Sequence, residues 1–532
     1  MADENLCTCP SDKPHPCLMA VMAPLKLKNH EWEDFKSLLK EAKDIGVEAV
    51  TVDMWWGHVM KERGQPDWKY YKDLFNVICM HGLRIVPIFS MHHGGGSVGD
   101  GDLNEPIPRW VYDDLSREAG LRPDDLRYIS EKGRVHSDAV PVWATTGAHG
   151  PIVLEAMADF FRAFTKEEYF QRLAQNRCFP ELNISLGPAG ELRYPSYNLK
   201  HADGLPQSDE WSYPHRGFFQ CYGDLAQRSF RDWAKKRLED RRRQNLQDAE
   251  DYWVSHFVND AHPADPFHQI RPPGGEKPAD GQARADDFVS HSPWLSPNKH
   301  ERQYAEDFIT WYNECLITHG YAIMTKADSC LAEGAFREIP LGMKIPGVHW
   351  QWRCTDVPRM AEMTAGLIPL RLGVVRSRDD QAPDGMRWLE DGQYPIETGY
   401  DNIFNMVRKL KASFASGRDV TVYFTALEMD DDWDDCGSQD DHKTSRARTL
   451  VRCAAKAAQG TIHQQPVTLR GENALSRISS DGDPDTDWRE IACAFEVGRF
   501  TGFTLLRLDK QTWYQEKEKF RQFIKTYDFH RP

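Results

Sequence analysis

Apolar residues along this chain follow two rhythms in turn: short continuous runs, then stretches in which they recur every three or four positions. Leu18 to Pro24 is a short apolar run that reads as a strand. Asn29 is placed to cap a helix in which Trp32, Phe35, Leu39, Ala42 and Ile45 share one face, and Gly46 can end it. Val47 to Asp53 predicts a second strand, Trp68 to His81 a helix, and Leu83 to Phe89 a third strand. Ile152 to Ala174 has the spacing of one long helix, followed by a strand at Leu182 to Leu186. Cys221 to Arg243 and Ala305 to Leu331 are helical, and Gly342 to Ile345 is a fifth strand. Helix Asn402 to Ala415 precedes a strand at Asp419 to Phe424, and helix Thr449 to Gln459 precedes one at Pro466 to Leu469. Phe503 to Leu506 makes the eighth strand and Gln511 to Tyr527 a closing helix. Eight strands alternating with helices predict the α/β class and a (β/α)8 TIM barrel, with parallel strands joined by right-handed crossovers.

Two stretches break the rhythm. Residues 261–298 are rich in Pro, Gly, Asp and His, and residues 377–398 are similar; both read as loop insertions. No linker separates a second domain, so the expected organisation is an N-terminal extension over 1–17 and one barrel domain over 18–532. Length fits a barrel with long βα loops, at 532 residues. The chain carries 66 basic and 81 acidic residues, a net charge of −15, which argues against nucleic acid or an anionic membrane as the main partner. The first 16 residues lack the apolar stretch of a secretory signal, and no run approaches a membrane span. A cytoplasmic location with reduced cysteines is therefore expected. Cys7, Cys9 and Cys17 cluster without a fourth partner at zinc-like spacing, so no metal is expected there. The acidic run Asp430 to Asp435 lacks the Gly and terminal Glu of a calcium loop and reads as a solvated loop.

In a barrel of this type, reacting groups sit where strands end and βα loops begin. The second strand ends in Asp53; the third runs into His92 and the glycine-rich Gly94 to Asp100; the fourth leads to Glu191. The fifth ends in Lys344, with His349 after it; the sixth ends in Thr425, with Glu428 beyond; Glu472, Asn473 and Ala474 follow the seventh, and the eighth ends in Arg507. So many polar groups on one rim predict a ligand-binding mouth. Glu191 and Glu472 follow opposite strands and would face one another. A pair of carboxylates, one protonated and one ionised, is the minimum equipment for glycoside hydrolysis. Taken singly, a glutamate after Gly reads more often as a solvated loop residue; the barrel context brings the functional reading to about even. Four glycines within Gly94 to Gly99 can form a lid; the Gly-Lys-Ser/Thr ending of a phosphate loop is missing.

The run Leu186-Gly-Pro-Ala-Gly-Glu-Leu-Arg-Tyr-Pro-Ser-Tyr197 resembles the catalytic-acid signature of the β-amylases, glycoside hydrolase family 14. Val52 to Gly57, Ile107 to Val111, Phe219 to Tyr222, Gly347 to Trp350, Met363 to Gly366, Phe424 to Met429 and Gly471 to Leu475 are similar to further family segments, in the family's order. The resemblance implies that Glu191 is the general acid and Glu472 the general base. It implies that Asp53, His92, Asp100, Lys344, His349, Thr425, Asn473, Ala474 and Arg507 bind the glucan, Thr425 also orienting the attacking water. Glu428 does not match the base and is expected to be a structural support. The implied reaction is inverting exo-hydrolysis of α-1,4-glucans such as starch, releasing β-maltose, with no cofactor. Glu191 is then expected to carry a raised pKa and Glu472 to stay ionised. Gly94 and Ser97 stand where many members carry Cys and Asn, and Ser476 and Ile478 where Pro and Tyr are usual. No starch-binding module is expected after the barrel, and the oligomeric state is left open. The rival reading is a catalytically silent glucan-binding or regulatory protein on the same fold; retention of both glutamates favours hydrolysis. A retaining barrel glycosidase fits less well, because its carboxylates must lie closer together.

Overall fold

Eight strands close into one all-parallel barrel: β1 (Leu18–Met22), β2 (Ala49–Trp55), β3 (Arg84–Ser90), β4 (Leu182–Ile184), β5 (Leu341–Ile345), β6 (Val420–Phe424), β7 (Thr468–Glu472) and β8 (Gly502–Leu505). Each pairs with its chain neighbours, and β8 returns to β1 with Leu18 opposite Gly502. A computed structural model describes residues 17–95, 100, 103–131, 133–146, 151–196, 217–244, 272, 299–349, 360–367, 399–430, 447–474 and 484–527. The extension before residue 17, both insertions apart from Pro272, Gly96 to Gly99 of the glycine-rich loop, Asp431 to Asp435, Ser476 and Ile478 lie outside the described residues.

The predicted barrel is present, and its layers follow from alternation along each strand. Outward side chains such as Val50, Val52, Ile85, Phe89, Ile184, Met343 and Val422 join the large core between the sheet and its helices. That core is strongly aromatic where the helices meet β3: Phe164 stacks on Phe170 at 4.4 Å, and Phe89 meets Phe160, Phe161 and Phe164 edge-on. Inward side chains form two small separate clusters, Leu18, Ala20, Ala49 and Val86, then Met22, Ile88 and Leu506 above them. Across from these apolar layers, Arg470 of β7 bonds Glu181 at 2.9 Å and the hydroxyl of Tyr423 of β6 at 3.2 Å.

Several boundaries differ from the sequence expectations. The helix predicted from Ile152 to Ala174 is two helices, Leu154–Lys166 and Glu168–Gln175. Glu167 between them is extended, with φ −76° and ψ 115°, and its carboxylate accepts from the Tyr169 N–H. The first helix starts at Trp32 behind Glu31, not at Asn29. Helices Arg109–Glu118 and Pro484–Gly498, and a small hairpin pairing Tyr128–Ile129 with Val135–His136, were not expected. β7 runs to Glu472 rather than stopping at Leu469, so Glu472 is part of the strand. No helix among the described residues is long and apolar enough to cross a membrane.

Candidate active site

The C-terminal ends of β4 to β8 bring the two glutamates to one centre. Beyond β4 the chain makes a tight turn over Pro188–Gly190 and then runs extended through Glu191. This loop lies against β5: Glu191 bridges Lys344 in parallel, and the Leu192 N–H donates to the Lys344 carbonyl at 3.0 Å. Behind it, Tyr194 stacks on Tyr312 at 3.8 Å and donates its hydroxyl to the Tyr312 carbonyl. Gly366 has a φ of +83°, and a Cβ there would lie 2.6 Å from the Tyr194 ring. The Met363 to Gly366 segment thus anchors the loop from behind.

Glu191 is 8% exposed and accepts two strong hydrogen bonds. Thr425, just after β6, donates its hydroxyl to Oε1 at 2.6 Å, and the buried Arg193 donates Nε–H to Oε2 at 2.6 Å. The chain bends at Leu192 and Arg193, with the Arg193 N–H donating to the Glu191 carbonyl at 2.9 Å, and this turn brings the guanidinium to its neighbour's carboxylate.

Glu472 comes from the last position of β7 and is 6% exposed. The Lys344 ammonium donates to its Oε1 at 2.7 Å. Its Oε2 has no hydrogen-bond partner among the described residues. Burial pushes the Glu472 carboxyl up; Lys344 opposes this, while Glu191 and Asp53 add to it. Lys344 therefore ties the two centres together, its backbone to the Glu191 loop and its ammonium to Glu472.

The remaining predicted residues surround this pair. Asp53 accepts from the Ser90 hydroxyl at 2.6 Å. His92 sits beside Ser185, 2.9 Å from Nδ1 to the hydroxyl oxygen. Burial, with Lys344, His93 and Arg193 nearby, pushes the His92 imidazole down to about 3. Asp100 takes the Gly95 N–H at 3.0 Å and lies 3.8 Å from the Arg507 guanidinium. Burial lowers the Arg507 pKa, and Asp53, Asp100 and Glu472 counter it. His349 is buried at 6% exposure. Among the described residues there is no group of three or more His, Cys, Asp or Glu that could hold a metal ion.

A model described as Glycosyl hydrolase family 14 matches residues 20–373. The chain belongs to glycosyl hydrolase family 14. It is 31% identical over 493 residues to the thermophilic beta-amylase of Thermoanaerobacterium thermosulfurigenes, covering 92% of this chain and 70% of that protein. Identity is 30% over 495 residues with the beta-amylase of Bacillus cereus, with the same shares covered. It is 28% over 469 residues with that of Medicago sativa, covering 86% and 75%. Among solved structures, the catalytic domain of beta-amylase from Paenibacillus polymyxa superposes with a TM-score of 0.66 at 28% identity. That match covers 96% of this chain and 98% of that one.

Three details of this family 14 site were not among the sequence expectations. Burial pushes the Glu472 carboxyl up, with Lys344 opposing it, and Glu191 sits between a hydroxyl and a guanidinium. Thr425 was expected to orient water; its hydroxyl is bonded to Glu191. Asn473 carries a second set of bonds. Both its amide atoms bond the backbone of Leu506, at 3.1 and 2.8 Å, tying β7 to β8. Glu428 is the support it was expected to be: buried, it accepts the Ala474 N–H at 2.8 Å. Sequence reasoning missed Arg193, Ser90 and Ser185. Arg193 meets Glu191 through a bend that residue spacing does not announce, whereas Ser90 and Ser185 follow by strand alternation from Ile88 and Asn183.

Proposed function

We propose that this family 14 glycoside hydrolase cleaves α-1,4-glucosidic bonds of starch-type glucans from the non-reducing end, with inversion, releasing β-maltose. Glu191 gives its proton to the leaving glucosidic oxygen, and Glu472 takes a proton from the attacking water. The observation that carries this reading is the join at Lys344: one residue of β5 is bonded through its backbone to the Glu191 loop and through its ammonium to Glu472. Two carboxylates are thereby held on separate supports at one mouth. An inverting pair stands ~6.5–9.5 Å apart, so that water fits beside the anomeric carbon.

The partners divide the work. Lys344 keeps Glu472 an acceptor despite its burial, and the Glu472 Oε2, which has no hydrogen-bond partner among the described residues, is the oxygen that meets the water. Thr425 and Arg193 hold the Glu191 carboxyl in one orientation, and glucan binding must loosen this grip for the carboxyl to carry its proton. Asp53, His92, Asp100, His349, Ala474 and Arg507 offer acceptors and donors to sugar hydroxyls. Asn473 shapes the floor through β8.

Proton NMR of maltohexaose during the first minutes of incubation tests the proposal. Maltose appearing first as its β anomer supports inverting exo action. The α anomer overturns the stereochemistry, mixed product lengths overturn the exo mode, and maltohexaose bound but uncleaved moves the assignment to a silent glucan-binding protein.

A further inference from the structure

His92 has two ring nitrogens with different surroundings, and the difference decides what it can offer a ligand. Its Nδ1 lies 2.9 Å from the hydroxyl of Ser185, the residue just after β4. Its Nε2 has no hydrogen-bond partner among the described residues. Trp55 meets the ring edge-on at 5.2 Å. Ser185 is itself fixed, its N–H donating to the Phe89 carbonyl at 3.2 Å.

We propose that Ser185 is a positioning residue that locks His92 as the tautomer protonated on Nε2, making His92 a hydrogen-bond donor to an acceptor oxygen of the bound glucan. This rests on the reading of His92 as a glucan-binding residue and specifies the direction of its contact. Two arrangements of the Ser185–His92 pair satisfy a 2.9 Å distance. In one, the serine hydroxyl donates to Nδ1 and the ring proton is on Nε2. In the other, Nδ1–H donates to the serine oxygen, and the hydroxyl proton must find another acceptor. Ser185 is 3% exposed, and its hydroxyl has no second partner among the described residues. A buried O–H left unmade is costly, so the first arrangement prevails. The imidazole is neutral at working pH, with its pKa pushed down to about 3 by burial and by Lys344, His93 and Arg193. One nitrogen therefore accepts, the other donates, and the donor faces away from Ser185. The sugar atom it meets must be an acceptor, a hydroxyl or ring oxygen.

The test begins with the ligand-free protein labelled with 15N at histidine. Two-bond 1H–15N spectra at neutral pH report the tautomer, the His92 signals being identified by their loss in H92N. A single Nε2-protonated form is expected; an Nδ1-protonated form or an even mixture overturns the inference. In S185A the tautomers are expected to mix, and KM for maltohexaose to rise about tenfold, the worth of one neutral hydrogen bond, with kcat within about threefold. S185T restores the hydroxyl and is expected to return both readouts toward the parent values. A folded S185A with unchanged spectra and KM, or an S185T that restores neither, contradicts the assignment. If the parent protein binds maltohexaose without cleaving it, the hydrolytic proposal fails. The Ser185–His92 inference is then judged by the same spectra, with the calorimetric Kd in place of KM.

Discussion

Glu191 and Glu472 are the same residue type at one mouth, held in opposite ways. Glu191 rides on a loop that has left β4, and both its oxygens are bonded, to Thr425 and to Arg193. Glu472 is still inside β7, with one oxygen on Lys344 and the other facing away from any described partner. Loop and strand differ in what they can do. A loop lets a carboxyl reorient when ligand displaces its partners. A strand fixes it, so its chemistry must be set by a neighbour's charge. Burial raises the Glu472 pKa, and Lys344 is the counterweight. In the proposed reaction, the division of roles between acid and base rests on this difference in support.

The largest effect breaks both sides of the comparison. Glu191→Gln and Glu472→Gln each are expected to cut kcat on maltohexaose on the order of 10³-fold or more. Calorimetric affinity for the glucan should stay within a few-fold. Near-normal turnover in either variant would remove that residue from its role.

Next comes the counterweight. Lys344→Met leaves Glu472 buried without its cation, so its pKa rises further. A base works only when deprotonated, so the acid limb of kcat should move to higher pH, with a loss of about 100-fold at pH 6. A pH–rate profile with an unmoved acid limb would show that Lys344 does not tune Glu472.

A smaller effect concerns the strand's support. Glu428→Ala removes the acceptor of the Ala474 N–H, two residues beyond Glu472. Denaturant unfolding should show a loss of about 1–3 kcal/mol. Turnover should fall roughly tenfold with KM little changed, equivalent to about 1.4 kcal/mol in the transition state.

The smallest lies where the glycine-rich loop returns, with Glu105 bonded to Gly94 through both backbone groups. Burial alone would push the Glu105 carboxyl up, but His58 and Lys26 together hold it at about 2. This depressed pKa contributes stability above the ordinary value of 4.5, and the contribution is lost as pH falls toward 2. Glu105→Gln should cost about 1 kcal/mol or less at neutral pH, the partners being partly exposed. The Tm gap to the parent should be constant above about pH 5 and narrow below it; a widening gap would reverse the sign of the argument.

Much of this fold was legible in the chain because a barrel repeats one simple rule eight times. Apolar runs separated by amphipathic helices fix strand number and order, and strand ends then fix the rim. The failures have local causes. The apolar run at Pro466 to Leu469 ends at Leu469, because Arg470, Gly471 and Glu472 are not apolar. In the structure Gly471 stays in the strand, and the Leu427 side chain fills the space where a Cβ would stand, 2.2 Å from that position. The long helix splits at Glu167 because of a cap that periodicity does not register. Both glutamates were legible from their surrounding motifs. Their partners were not, because Lys344 and Glu472 are 128 residues apart and Thr425 and Glu191 are 234 apart. The Asn473 contacts were hidden for the same reason: residue type announces an amide, but only the packing of β7 against β8 reveals that Leu506 bonds it.

Separating protonation from water activation is the direct test of the two roles. α-Maltosyl fluoride carries a leaving group that needs no proton, so its hydrolysis requires the base and not the acid. The account predicts that Glu191→Gln hydrolyses α-maltosyl fluoride at close to the parent rate while losing activity on maltohexaose, and that Glu472→Gln loses both. A Glu472→Gln protein that still hydrolyses the fluoride, beside a Glu191→Gln protein that does not, would contradict it and exchange the two residues.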